Sequence, residues 1–210
     1  MNKNEIESDP DRKEKDMSII RDLVIENRSY RSFDESRRIG LEDLRDLVDT
    51  VRLCPSAVNR QPLKYRLVCD PDEVEEVLGF THWAGLLPDV KLPPDGHHPT
   101  AFILICCDTT ITADPKNADT DCGIAAQTIL LMAAEQGFGG CMLGAFDREE
   151  TAKSLRIPKK LSPMLLIALG VPDETVFLCE IPESGSTNYF RDKAGLHFVP
   201  KRSLSDVIVE

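Results

Sequence analysis

Residues 119–137, DTDCGIAAQTILLMAAEQG, restrict the fold more than any other stretch. From Ile124 to Ala134 only Gln127 and Thr128 are polar. A helix that is apolar all round has to be buried, either in the middle of a domain or at a subunit interface. One domain built from 210 residues seldom encloses a helix on every side, so the stretch predicts a homodimer. A second constraint is AFILICCD, residues 101–108, a short continuous apolar run of the kind expected for a central strand covered on both faces.

Around these two segments the periodicity is mixed. Apolar residues at 19, 20, 23, 24 and 25 form a helical stripe, and Leu41, Leu44, Leu47, Val48 and Val51 form another that Pro55 stops. KYRLVC alternates as a strand. DPDEVEEVLG reads as a helix begun by Asp70 or Asp72 and ended by Gly79. Trp83 to Pro99, rich in proline, reads as a surface loop or lid. GCMLGAFD gives a short strand with glycines at both ends, REETAKSLRIP a helix closed by Pro158, and PMLLIALGVPDE another buried strand. The tail LHFVPKRSLSDVIVE ends as an alternating segment able to join a sheet edge of this chain or its neighbour. With no repeat or linker, residues 17–210 read as one α+β domain, and the charge-alternating residues 1–16 as a loosely held extension without the apolar centre of a signal peptide.

Composition narrows the function. With 25 Lys and Arg against 36 Asp and Glu, net charge −11, the chain lacks the positive field that a nucleic-acid or anionic-membrane binder needs. Any anionic ligand is therefore held by local groups. Seven cysteines, none spaced C-x-x-C, point to reduced thiols and a cytoplasmic setting. No apolar run reaches the roughly 18 residues of a membrane helix.

Several familiar chemistries are missing. There is no Walker phosphate loop and no H-E-x-x-H, and GFGGCMLG runs from helix into strand, the reverse of a dinucleotide fingerprint. His97–His98 and Cys106–Cys107 are adjacent pairs whose side chains diverge on an extended chain, so neither reads as a metal site. A Cys141–His197 nucleophile pair has no supporting motif.

Three stretches stand out. NRSYRSF, residues 27–33, gathers Arg28 and Arg31 around Ser29 and Tyr30, and reads either as a solvated turn or as a seat for a small anion. CPSAVNRQP, residues 54–62, presents Ser56, Asn59 and Gln61 between Pro55 and Pro62. It suits ordinary helix termination and equally a rigid loop offering amides and a hydroxyl to a planar polar ligand. PKR, residues 200–202, is a second basic cluster far along the chain.

Taken in order, RSYRSF, PSAVNRQP, DCGIAAQTILLMAAEQGFGGCMLGAFD, IALGVPDE and PKR resemble the nitroreductase family of FMN-dependent oxidoreductases, from about Asn27 to about Leu204. The resemblance implies an α+β homodimer with a mainly antiparallel sheet flanked by helices and C-terminal strand exchange, with two FMN sites built from both chains. It places Arg28, Ser29, Tyr30 and Arg31 on the cofactor, with Ser29 toward the ribityl–phosphate region and Arg31 near N1 and O2 of the ring. A cation there stabilises the negative charge of the reduced ring. Pro55, Ser56, Ala57, Asn59 and Gln61 would meet the ring's polar edge from the partner chain. Met142, Leu143 and Gly144 would lie against the ring, the Gly144 amide approaching N5. Lys201 and Arg202 would hold the phosphate, more so because Asn27 stands where the family often carries a basic residue.

The implied activity is hydride transfer from NAD(P)H through flavin N5 to an electron-poor acceptor of nitroaromatic or quinone type, by a ping-pong mechanism. No side chain acts as nucleophile or general base. The same scaffold hosts flavin-modifying and dehalogenating enzymes. The neutral Asn27 and the absence of a nicotinamide motif leave an FMN carrier or sensor as a third reading.

Overall fold

The computed structural model describes residues 18–87 and 90–209; the expected extension over residues 1–16 lies outside them. The chain divides into two compact units, one continuous over residues 27–174 and one assembled from both ends, residues 18–26 with 175–209.

The continuous unit carries helices α2 (Leu41–Val51), α3 (Pro71–Gly79), α4 (Asp119–Glu135) and α5 (Arg148–Ser154) on strands β1 (Leu63–Val68), β2 (Ala101–Asp108), β3 (Gly139–Leu143) and β4 (Leu161–Gly170). The strands form one antiparallel sheet in the order β1-β2-β4-β3. All eight residues of β2 are buried, as its unbroken apolar run predicts. Successive side chains on a strand point to opposite faces. Ile103 and Ile105 accordingly join a core with Leu44 and Leu47 of α2 and Ala126 and Ile129 of α4. Phe102 and Leu104 join the opposite core with Val74 and Val77 of α3. A strand sandwiched between two helical layers has no polar face to show, which is why its sequence does not alternate.

Caps and turns follow local chemistry. The Asp70 carboxylate accepts from the N–H groups of Asp72 and Glu73 at 3.0 and 3.3 Å and opens α3; Asp147 does the same for α5 through Glu149 and Glu150. The loop from Trp83 toward Pro99 contains no helix or strand among its described residues, as its prolines imply.

Helix α4 is buried along one side only. Cys122, Ala125, Ala126, Ile129, Leu130 and Ala133 are buried, but Gly123, Ile124 and Gln127 are exposed. The sheet and α2 cover one side of the helix, and among the described residues the Gly123, Ile124 and Gln127 side stays exposed.

The smaller unit holds α1 (Ile19–Glu26), β5 (Val176–Glu180), β6 (Phe190–Arg191), β7 (His197–Lys201) and α6 (Leu204–Val207). Its sheet runs β5-β7-β6, with β5 and β7 parallel. Phe198 on β7 stacks between Phe177 and Phe190, ring centroids 5.4 and 5.2 Å away. The expected alternating strand at the end of the tail is a correction. The strand lies earlier, at His197–Lys201, and the chain then turns into α6. There Ser203 accepts from the Asp206 N–H at 3.3 Å and the Asp206 carboxylate accepts from the Ser203 N–H at 3.2 Å. That reciprocal cap favours a helical turn over β-propensity.

Candidate functional site

The NRSYRSF segment is bound edgewise to the glycine strand. Ser29 forms a parallel bridge with Gly140, and the Tyr30 N–H donates to the Gly140 carbonyl at 3.0 Å. Such close approach needs a bare Gly139, and the pairing of β3 with β4 needs a bare Gly140. A Cβ on Gly139 would fall 2.5 Å from both the Tyr30 ring and Pro172, and one on Gly140 2.3 Å from the Ala168 carbonyl oxygen. Further along, the Asp34 N–H donates to Val171 at 2.9 Å, and fully buried Phe33 lies over Gly170. An aromatic at position 33 thus anchors the segment while the residues before it stay near the strand end.

This anchoring fixes the basic groups. Arg31 is buried; its N–H donates to the Glu174 carboxylate and its Nη1 to the Ser29 carbonyl at 3.2 Å. Arg28 is half-buried, and burial draws its guanidinium below the ordinary arginine value, with Tyr30 opposing. The neighbouring Cys141 thiol is pushed up by burial, against a downward pull from Arg31. A nearly enclosed guanidinium in an acidic protein suits an anion or an electron-rich ligand edge.

The CPSAVNRQP loop is held from the first turn of α4. Both Asp121 oxygens are engaged: Oδ2 accepts from the Ser56 hydroxyl at 2.6 Å and Oδ1 from the Ala57 N–H at 3.1 Å. Ser56 Oγ in turn accepts from the Gln61 N–H at 2.9 Å. Between these ties Val58, Asn59 and Gln61 all have φ near +50°, at 54, 54 and 52°. That region disfavours β-branched residues most, so an 89% exposed Val58 in it is a mark of imposed geometry. Gln61 Nε2 donates to Asn59 Oδ1 at 3.0 Å, which leaves the Asn59 amide N–H groups and Gln61 Oε1 uncommitted on two exposed residues. Beneath the loop lies a cavity of about 280 Å³, bordered by Val51, Cys54, Ser56, Tyr65 and Asp121. Burial pushes the Tyr65 hydroxyl up to about 12, with Cys122, Cys54 and Asp121 acting the same way.

At the end of β3 the three residues singled out by sequence differ. Met142 is exposed, Leu143 is buried, and Gly144 is exposed with nothing within 4 Å of a would-be Cβ. The Gly144 carbonyl accepts from Arg148 Nη2 at 3.2 Å. Lys201 ends β7 and Arg202 follows it, both exposed, in the smaller unit.

The continuous unit therefore brings Arg28, Ser29, Tyr30 and Arg31 onto β3, the strand of Met142 and Leu143. It holds Pro55, Ser56, Ala57, Asn59 and Gln61 on α4. Two residues escaped the sequence reading. Asp121 lies four residues before buried Ala125 and eight before Ile129, on the inward stripe of an apolar helix; a carboxylate there calls for a partner and is legible in the sequence. Glu174, which meets the backbone of Arg31, sits in a turn with no such periodicity.

Known proteins share sequence and fold with this chain. A protein of Archaeoglobus fulgidus, provisionally named an NADH dehydrogenase/NAD(P)H nitroreductase, is 29% identical over 72% of this chain and 84% of its own. A nitroreductase family protein of Streptococcus pneumoniae superimposes with a TM-score of 0.66 at 17% identity, over 90% of this chain and 98% of that one. An FMN-dependent nitroreductase of Clostridium difficile gives 0.57 at 21% identity, over 72% and 87%. The model of the nitroreductase family matches residues 24–171, more than half of the chain, and the chain belongs to that family.

Proposed function

We propose that the protein is an FMN-dependent oxidoreductase that takes reducing equivalents from NAD(P)H and delivers them to an electron-poor acceptor, nitroaromatic or quinone in type, by a ping-pong mechanism. The observation that carries this reading is the docking of Arg28–Arg31 on Gly140 of β3, the strand that leads into the open Gly144. The donor set fits FMN. A flat ring needs uncrowded backbone, which Gly144 leaves, and its pyrimidine edge needs alternating donors and acceptors, which the outward atoms of Asn59 and Gln61 offer. The names of relatives and neighbours point the same way.

When bound, FMN supplies the hydride-accepting and hydride-donating centre. The chain's own groups do the rest. Buried Arg31 would supply a fixed positive charge for the ring's N1–O2 side, Ser29 and Arg28 would hold the ribityl and phosphate portion, and exposed Lys201 and Arg202 would add charge for the phosphate. Exposed Met142, the Leu143 backbone and Gly144 would lie against the ring. The working unit is a homodimer with C-terminal strand exchange, in which the outward amides of one chain's loop serve the partner's cofactor. The exposed Ile124 side of α4 is an apolar surface suited to that contact. Seven free thiols suit a reducing compartment such as the cytoplasm, and no described helix is long and apolar enough to cross a membrane.

Purification decides the matter: a yellow dimer whose flavin absorbance bleaches anaerobically with NADH or NADPH, and returns with a quinone or nitroaromatic, is expected. A colourless protein that takes up no added FMN overturns the reading, and a flavin that neither nucleotide bleaches reduces it to FMN carriage.

A further inference from the structure

We infer that Asp121 is the positioning residue of the cofactor-facing loop, setting the direction of the Asn59 and Gln61 amides from a site that touches neither. This rests on the FMN reading above. Asp121 is buried at 6% exposure in the first turn of α4, on a helix whose remaining body is fixed in the core by Ala125, Ala126 and Ile129. From that rigid base its two oxygens take the Ser56 hydroxyl and the Ala57 N–H. Ser56 passes the restraint on by accepting the Gln61 N–H. The six residues 56–61 are thereby closed into a ring across three left-handed residues, Val58, Asn59 and Gln61.

A loop with this backbone does not keep it unaided, because left-handed φ at valine is disfavoured and nothing buries the Val58 side chain in return. The clamp therefore decides which way the loop's polar atoms face. With Gln61 Nε2 committed to Asn59 Oδ1, the outward pattern is donor from Asn59 and acceptor from Gln61. Loosening the clamp frees both amides to rotate and scrambles that pattern. Asp121 contacts no ligand atom; it acts through Ser56 and the backbone.

The test uses the full-length protein with Asp121→Asn, Ser56→Ala and the double variant, read in two ways. Without flavin, amide hydrogen exchange at Ala57 and Gln61 is expected to rise in Asp121→Asn, and at Gln61 in Ser56→Ala. Exchange at both sites unchanged from wild type would show that the clamp does not hold the loop. With FMN, each single variant is expected to weaken binding by about 10- to 100-fold and to shift the visible band of the bound flavin. The double variant is expected to lose little more than either single one, since the two act as a unit. Faster exchange with FMN affinity and spectrum unchanged overturns the positioning role while leaving the flavin reading intact. A wild-type protein that ignores FMN overturns both. Should Asp121→Asn not fold, Ser56→Ala carries the same two readouts alone.

Discussion

Replacing Gly140 by alanine tests whether the two ends of the site are mechanically joined through β3. The added Cβ would stand 2.3 Å from the Ala168 carbonyl oxygen, 2.8 Å from Leu130 Cδ2 and 3.0 Å from Leu169 Cδ2. The first contact is about 1 Å short of ordinary van der Waals separation and is with backbone, which cannot rotate away. Strand β3 has to move off β4, disturbing the pairing of Cys141 with Ala168 and the carbonyl that receives the Tyr30 N–H. Overpacking of this kind costs about 1–3 kcal/mol, and a weakened hydrogen bond adds about 1. A loss of about 2–4 kcal/mol corresponds in a chain of this length to a fall in Tm of roughly 5–15 °C. Gly144→Ala is the matched control. Its Cβ meets nothing within 4 Å, so stability should stay within about 0.5 kcal/mol of wild type while FMN binding weakens. Thermal unfolding without ligand, followed by flavin titration, separates the two. A Gly140→Ala protein that melts within about 2 °C of wild type refutes the coupling. So does a Gly144→Ala protein destabilised as much as Gly140→Ala.

Other expectations concern thiols, acid stability and charge. Alkylation of the native protein at pH 8 should modify Cys54, Cys69 and Cys179 first, whereas Cys106, Cys107, Cys122 and Cys141 are buried and should react only on unfolding. Burial pushes Cys106 to about 12 and Cys122 to about 11, so peptide mapping that finds either modified early contradicts the core assignment. The Asp108 carboxyl is held below its usual range, first by the Thr110 hydroxyl at 2.6 Å. A depressed folded value means that its stabilisation is full above about pH 4 and lost as pH falls through the folded value. Thr110→Val should therefore move the acid limb of the urea-unfolding profile to higher pH, and an unmoved limb refutes the bond's role. Changing Lys201 and Arg202 together to alanine should weaken FMN binding more than it alters melting of the flavin-free protein; unchanged affinity removes both from the phosphate.

The fold was legible where burial and periodicity agree. The unbroken run of β2 predicts a strand covered on both faces, and the helical stripe of Leu44, Leu47 and Val51 predicts α2. It was not legible where a distant group overrides local preference. Val58 is a β-branched residue that propensity places in extended backbone, yet a carboxylate at position 121 holds its loop left-handed. The tail misled in the opposite way, because a local cap at Ser203 outweighed the alternation of the last few residues. Of the site, the arginines and loop amides announce themselves by type and order. Glu174 does not, since its role is to take a backbone N–H that no sequence pattern displays.

The division of the chain into a continuous body and a unit made from both ends has a consequence in time. All four strands of the larger sheet, and both partners of the Ser29–Gly140 bridge, lie before Thr175. A ribosome moving at about 5–20 residues per second needs roughly 1–6 s more to reach Arg202. Hairpin formation and collapse are complete in far less. The docked Arg28–Arg31 segment is thus available to fold during synthesis, while Phe198 and the Lys201–Arg202 pair emerge later. Premature termination anywhere between Thr175 and Phe198 leaves a body that contains both partners of the Ser29–Gly140 bridge and lacks Lys201 and Arg202.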